Sequence, residues 1–180
     1  MTIQIIPATA EDVPALNALV NSAYRGDSSR RGWTTEADLL GGIRTDEEAL
    51  AAMIRNAQAT MLKYEAGGQL MGCVYLETQS DTLYLGMLTV SPDAQANGIG
   101  KALLSAAEQV ARRKNCRTIT MTVISQRHEL IAWYERRGYV ATGESKPFPS
   151  DDPRFGLPKQ PLLFIVMQKS VPAVHSPLSE

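Results

Sequence analysis

The sequence predicts an α/β (α+β) chain with a single mixed, mostly antiparallel sheet of about seven strands, flanked by about four helices. Three observations lead there. Segments with strand-like and helix-like apolar spacing follow one another in the order β α α β β β α β α β β. Gly67-Gly68 joins two β-rich runs, "TMLKYEA" and "LMGCVYLE", as a hairpin would. The next run, "TLYLGMLTV", is apolar without polar alternation, which suits a central strand covered on both faces.

The first strand is the short "IQII", closed by Pro7. Thr9 and Asp12 stand at capping-box spacing ahead of Val13, Leu16, Leu19, Val20 and Ala23, whose recurrence marks the first helix; Pro14 is tolerated in its first turn. "RGDSSRRGWTTEADLLGGIR" is polar and glycine-rich and reads as a loop with one helical turn. Thr45 and Glu48 form a second capping box before Leu50, Met53, Ile54 and Ala57. Past the hairpin and the central strand, Ile99, Ala102, Leu103, Ala106, Ala107, Val110 and Ala111 share one face of a third helix. Arg112, Arg113 and Lys114 complement the negative end of its dipole. "TITMTVI" alternates as a strand, and "HELIAWYERR" is a short helix stopped at Gly138. "YVATGE" and "LLFIVMQK" complete the sheet around a Pro-rich loop. Residues 1–169 read as one domain, and residues 170–180, "SVPAVHSPLSE", as a flexible tail without apolar period.

Eighteen basic and nineteen acidic residues give a net charge of −1, so nucleic acid is not an expected partner. Cys73 and Cys116 stand apart from any CxxC or Cys/His cluster and read as buried thiols, not as a disulfide or metal site. The N-terminus lacks the charged and apolar regions of a signal peptide. No apolar run approaches the ~18 residues of a membrane helix. The expectation is a soluble cytoplasmic protein, monomer or homodimer, with no membrane partner and no metal.

Gly98 and Gly100 open the third helix, where each costs roughly 1 kcal/mol against alanine. Crowding against the sheet would explain them. So would a phosphate approaching bare N–H groups at a helix N-terminus. A Walker A loop is excluded: with Gly100 as its second glycine, Gln95 falls on the first and Ala102 on the hydroxyl position. The dinucleotide fingerprint fails because Leu103 occupies its third small position.

The stretch "QANGIGKALL", after a strand ending "LTVSP" and before an amphipathic helix, resembles the Q/R-x-x-G-x-G/A signature of the GNAT superfamily of acetyl-CoA-dependent acyltransferases. "AWYERRGYV" resembles a second element of that superfamily: Tyr, Glu, a basic residue, then Gly and an aromatic. The resemblance runs from about Thr9 to Lys169. It implies that Gln95, Ala96, Asn97, Gly98, Ile99, Gly100 and Lys101 hold the pyrophosphate of acetyl-CoA, and that Thr89 and Val90 pair with its pantetheine amides. It also implies that Leu88, with Met87, offers a backbone N–H to the developing oxyanion, and that Tyr134 protonates the departing thiolate. Gly86 in the same strand suggests a bulge at that donor region. Tyr134 equally fits a core tyrosine, since it shares a helix face with Leu130 and Ile131. The implied reaction is direct attack by the primary amine of a small molecule in a ternary complex. A non-catalytic acyl-CoA-binding module of the same fold is the rival.

Two features depart from the superfamily pattern. Many members carry an Asn shortly before the Tyr; seven residues before Tyr134 this chain has Arg127, read as an exposed residue at a helix start. Some members carry a Glu on the central strand as general base, and "LYLGMLTV" offers none. The base is then absent, works through water, or lies elsewhere, with Glu77 as first choice and Glu36 and Asp38 after it. His128 reads as a surface residue. The superfamily builds its acceptor pocket from the loop after the first helix and the loop before the last strand. Here these carry Arg30, Arg31, Arg44, Lys146 and Arg154 among Trp33, Phe148 and Phe155. Trp33, Arg44 and Glu77 are therefore assigned to the substrate, a small amine with a carboxylate or phosphate. Solvated loop charge accounts for the same arginines.

Overall fold

A computed structural model describes residues 1–32, 35–95, 97–149 and 156–173. Strand β1 (Ile3–Pro7) leads through a 3₁₀ turn into helix α1 (Val13–Tyr24). The expected capping box closes that turn, the Thr9 N–H donating to the Asp12 carboxylate at 2.8 Å. Helix α2 (Gly26–Ser29) is the single turn foreseen in the next loop, and β2 (Leu40–Gly41) follows it. Helix α3 spans Glu47–Arg55, and its cap corrects the sequence reading. Asp46, not Thr45, is the N-cap, and its carboxylate accepts the Ala49 N–H at 2.7 Å. A full negative charge at the positive helix pole favours Asp46 there. Thr45 is instead buried, its backbone held by Asn21 of α1.

Strands β3 (Ala59–Ala66) and β4 (Gln69–Gln79) are joined through Gly67 and Gly68, both at positive φ, as a two-residue type I′ turn demands. Then come β5 (Thr82–Val90), α4 (Ile99–Arg113), β6 (Thr118–Ile124), α5 (His128–Glu135), β7 (Val140–Pro147), β8 (Leu157–Pro158) and β9 (Leu163–Ser170). The sheet runs β1-β3-β4-β5-β6-β9-β7, antiparallel except where β5 meets β6. Strands β2 and β8 form a separate two-residue ribbon, too short to show a period in sequence.

Helices α1 and α3 cover one face, over Met61, Cys73, Tyr75 and Met87. Helices α4 and α5 cover the other, over Val74, Leu83, Leu85, Ile119, Met121 and Met167. Strand β5 explains its own lack of alternation: Leu83 and Leu85 face α4, but Met87 faces α1. Its phase changes partway along. Cys73 and Cys116 are free and buried. Val171 is buried and its N–H donates to the Arg117 carbonyl at 2.8 Å. Among the described residues no helix is long and apolar enough to cross a membrane.

Candidate active site

The site begins where two strands part. Strands β5 and β6 pair in parallel from Thr82/Thr118 to Tyr84/Thr120 and then separate. Beyond that point β5 carries a bulge: Tyr75 opposes Gly86 and Cys73 opposes Thr89, so Met87 and Leu88 together face Val74. The bulge follows Gly86 directly, and the left-handed residue is Met87, at φ +51°. A non-glycine residue held there costs of order 1–3 kcal/mol and tends to mark functional backbone. The extra residue turns Leu88 and Val90 toward α4 and α5 and sends Met87 to the opposite face.

Three side-chain groups hold the bulge. The Thr89 hydroxyl donates to the Met87 carbonyl at 2.9 Å, and the Cys73 thiol approaches the same oxygen. The Tyr24 hydroxyl, at the end of α1, donates to the Leu88 carbonyl. Burial raises the Tyr24 phenol above its ordinary pKa, and the Glu36 carboxylate adds to the shift. Tyr24→Phe should strip that carbonyl of its donor at a cost of about 1–3 kcal/mol, read as a lower urea midpoint. If Tyr24 positions the bulge for chemistry, kcat falls while the KM for the acyl donor holds; a purely structural Tyr24 would leave kcat intact.

Two cavities meet at this point, and Tyr24, Leu88, Leu130 and Tyr134 line both. The first, of about 300 Å³, runs from Val90 along the start of α4 to Trp133 and Arg137 of the α5 region. The two glycines at its floor serve different ends. Gly98 is the N-cap of α4 at φ +76°, and a Cβ there would meet nothing within 4 Å, leaving an open cradle at the pole of a 15-residue helix. Gly100 answers to crowding: its Cβ would lie 3.2 Å from the Trp133 ring. Arg137 stacks on that indole with its guanidinium 3.8 Å from the ring centroid. The side chains of Gln95 and Lys101 border the same cavity, with the Gln95 amide donating to the Val90 carbonyl at 3.3 Å.

The second cavity, of about 220 Å³, lies between the parted strands, α1 and α5. Arg25 and Arg127 meet across Glu36 there. The Arg25 guanidinium is 2.7 Å from one carboxylate oxygen and the Arg127 guanidinium 3.2 Å from the other, and all three side chains are less than a tenth exposed. Arg127 is therefore not the exposed helix-start residue expected from sequence; the buried Glu36 from a distant loop draws it inward. Arg44, whose backbone N–H donates to Asn21 at 2.7 Å, stacks on the Tyr24 ring at 5.6 Å, and Arg127 lies 6.0 Å from the same centroid.

Tyr134 sits at the junction, buried, with edge-on contacts to Trp133 and Tyr139. Burial is the main cause that raises its phenol far above the ordinary value, so it stays protonated across the physiological range. The family model for the acetyltransferase (GNAT) domain matches residues 40–149, the segment that includes this wedge, the glycine turn and Tyr134. The chain belongs to the GNAT acetyltransferase family. Solved structures agree in fold. The ribosomal-protein-S18-alanine N-acetyltransferase of Escherichia coli is 16% identical, with a TM-score of 0.71 over 99% of this chain and 100% of that one. The PaiA N-acetyltransferase of Thermoplasma acidophilum, in complex with coenzyme A, is 20% identical, with a TM-score of 0.69 over 94% of this chain and 99% of that one. Salmonella typhimurium YncA with its cofactor acetyl-CoA is 20% identical, with a TM-score of 0.71 over the whole of both chains.

In this GNAT domain the residues singled out from sequence are distributed unevenly. Leu88, Val90, Gln95, Gly98, Ile99, Gly100, Lys101 and Tyr134 gather around the first cavity. Thr89 backs the bulge with its side chain fully buried, and Asn97 is exposed beside the turn. Arg44 and Phe148 line the second cavity. Glu77 does not; it accepts a hydrogen bond from Tyr75 at 2.9 Å on the α3 side of the sheet. Arg30 and Arg31 reach outward to Asp38 and Asp93, and Lys146 lies on the exposed β7. His128 is exposed. Trp33, Ala96, Arg154 and Phe155 lie outside the described residues. Sequence reasoning missed Tyr24, Arg25, Trp133 and Arg137. For Tyr24 a signal existed, since it continues the Leu16, Val20 spacing of α1 by one turn.

Proposed function

We propose that the chain transfers the acetyl group of acetyl-CoA to the primary amine of a small, anionic molecule by direct attack in a ternary complex. One observation carries the reading: a cavity with a helix-pole cradle and a cavity with arginine walls open onto the same four residues, Tyr24, Leu88, Leu130 and Tyr134. The residues present suit the acyl donor. The Gly98 turn leaves room for a pyrophosphate at the positive pole of α4, with Lys101 and Arg137 beside it, and the edge of β5 from Leu88 to Val90 can pair with an extended amide chain. The donor supplies a thioester, electrophilic enough for a neutral amine. The protein's share is alignment, a backbone N–H at the bulge to steady negative charge on oxygen, and the Tyr134 hydroxyl as proton donor to sulfur.

Direct attack is favoured over an acyl-enzyme. Among the described residues neither cavity is lined by Cys, Ser or His. The nearby Cys73 is fully buried, and burial pushes its thiol up to about 12. Glu36, the carboxylate in the acceptor cavity, has each of its oxygens taken by a guanidinium group, so in this reading the amine gives its proton to solvent. The rate should then rise with pH along the titration of the acceptor amine itself.

Acetyl-CoA should raise the melting temperature of the wild type. Gly98→Val should abolish that rise, while an L-residue at this φ costs the free protein only roughly 1–2 kcal/mol. Equal binding by both proteins would place the pyrophosphate elsewhere. A thiol-release assay over a set of amines separates enzyme from binding module: stabilisation by acetyl-CoA with no release for any amine would leave only the binding role.

A further inference from the structure

The acceptor cavity is lined by two unlike groups of side chains. Among the described residues the charged group is Arg25, Arg44, Arg127 and Glu36. Both Glu36 oxygens are engaged, one by Arg25 and one by Arg127, whereas Arg44 has no ion pair among the described residues and rests on the Tyr24 ring. Other lining side chains are apolar. Leu40, Ile124 and Phe148 belong to one buried cluster, with Phe164 tilted against Phe148 at 5.2 Å between ring centroids. Two of the arginines lie close to Tyr24, which lines both cavities. The guanidinium carbons of Arg44 and Arg127 lie 5.6 and 6.0 Å from the centroid of Tyr24, the ring whose hydroxyl touches Leu88 at the junction.

An amine placed at that junction therefore has an anion-binding wall within a few bonds of it. It also has apolar lining and a volume of about 220 Å³ in which to fit. That volume suits a metabolite-sized acceptor. A flexible polyamine would meet the arginines as like charge, and a phosphoamine without a carbon side chain would leave the Phe148–Phe164 wall wet.

Resting on the acetyltransferase reading, we propose that the acceptor is a free α-amino acid with an apolar side chain, its carboxylate on Arg44 and Arg127 and its side chain against Phe148 and Phe164. In the reaction the α-nitrogen forms the amide bond as the thioester C–S bond breaks. The amine's proton leaves to solvent, and the sulfur departs as the thiol of coenzyme A.

The test is thiol release at saturating acetyl-CoA with six amines: L-phenylalanine, L-leucine, L-phenylalaninamide, 2-phenylethylamine, O-phosphoethanolamine and spermidine. The free amino acids should exceed the amide and 2-phenylethylamine by about 10–100-fold in kcat/KM, the worth of a charge-assisted contact. They should exceed O-phosphoethanolamine by roughly tenfold or more, through burial of the side chain. Arg44→Gln should shrink the ratio of L-phenylalanine to its amide toward one. The inference is overturned if the amide or 2-phenylethylamine matches the amino acids, if O-phosphoethanolamine or spermidine is preferred, or if the Arg44 variant keeps the wild-type ratio. Release with any of these wrong amines sinks this inference alone. No release with any of the six, while acetyl-CoA still raises the melting temperature, removes the acetyltransferase reading and this one with it.

Discussion

Tyr134→Phe should lower kcat about a hundredfold, or about 2.7 kcal/mol of transition-state stabilisation, with little change in acetyl-CoA affinity. The phenol sits where both cavities join, and its ring stays packed between Trp133 and Tyr139 whether or not it carries a hydroxyl. The substitution therefore removes a proton donor and leaves the packing. An ordinary Tyr titrates near 10 and a thiol near 8.5, and burial raises Tyr134 further, so proton transfer to sulfur is uphill and the lower end of general-acid catalysis applies. The pH dependence follows from the sign of the shift. The protonated phenol is the active form, and burial raises its pKa, so activity is lost only above an already high value. Wild-type kcat should show no falling alkaline limb below about pH 10. A near-normal kcat for the Phe variant in single-turnover conditions would reduce Tyr134 to a core residue.

Short-range signals in the chain pick out most residues around the first cavity and miss most of those around the second, for a physical reason. Gly98, Gln95 and Tyr134 belong to contiguous stretches whose spacing is local, so "QANGIGKALL" and "AWYERRGY" display them together. Glu36 and Arg127 are 91 positions apart and meet only in the folded chain, at the cavity beyond the point where β5 and β6 separate. Nothing near Arg127 in sequence distinguishes it from a surface arginine. Gly86 did point to the bulge, yet the residue that adopts the left-handed conformation is Met87, because the neighbouring hydroxyl and thiol hold its carbonyl. Gly100 was ambiguous between ligand and crowding. Its neighbour is Trp133, 33 positions away, so the crowding is visible only in the folded chain.

Glu36→Ala should cost the fold about 3–5 kcal/mol, because it leaves two buried guanidinium groups facing each other without the carboxylate between them. Chemical denaturation would read this as a large drop in midpoint at unchanged slope. A loss under about 1 kcal/mol would mean that the triad behaves as a surface pair, despite side chains less than a tenth exposed. Stability alone does not explain why such a group is present, since apolar side chains of similar volume often do as well or better in its place. The combined replacement Arg25→Met, Glu36→Leu and Arg127→Met separates the two roles. Well packed, it should recover most of the stability lost by Glu36→Ala, and acetyl-CoA should still raise its melting temperature through the intact Gly98 turn. Its acceptor KM should rise at least about tenfold, because Arg44 alone then faces the anion. If the triple variant keeps the wild-type acceptor KM, the three charges serve the fold, and the anion is held by Arg44 without them.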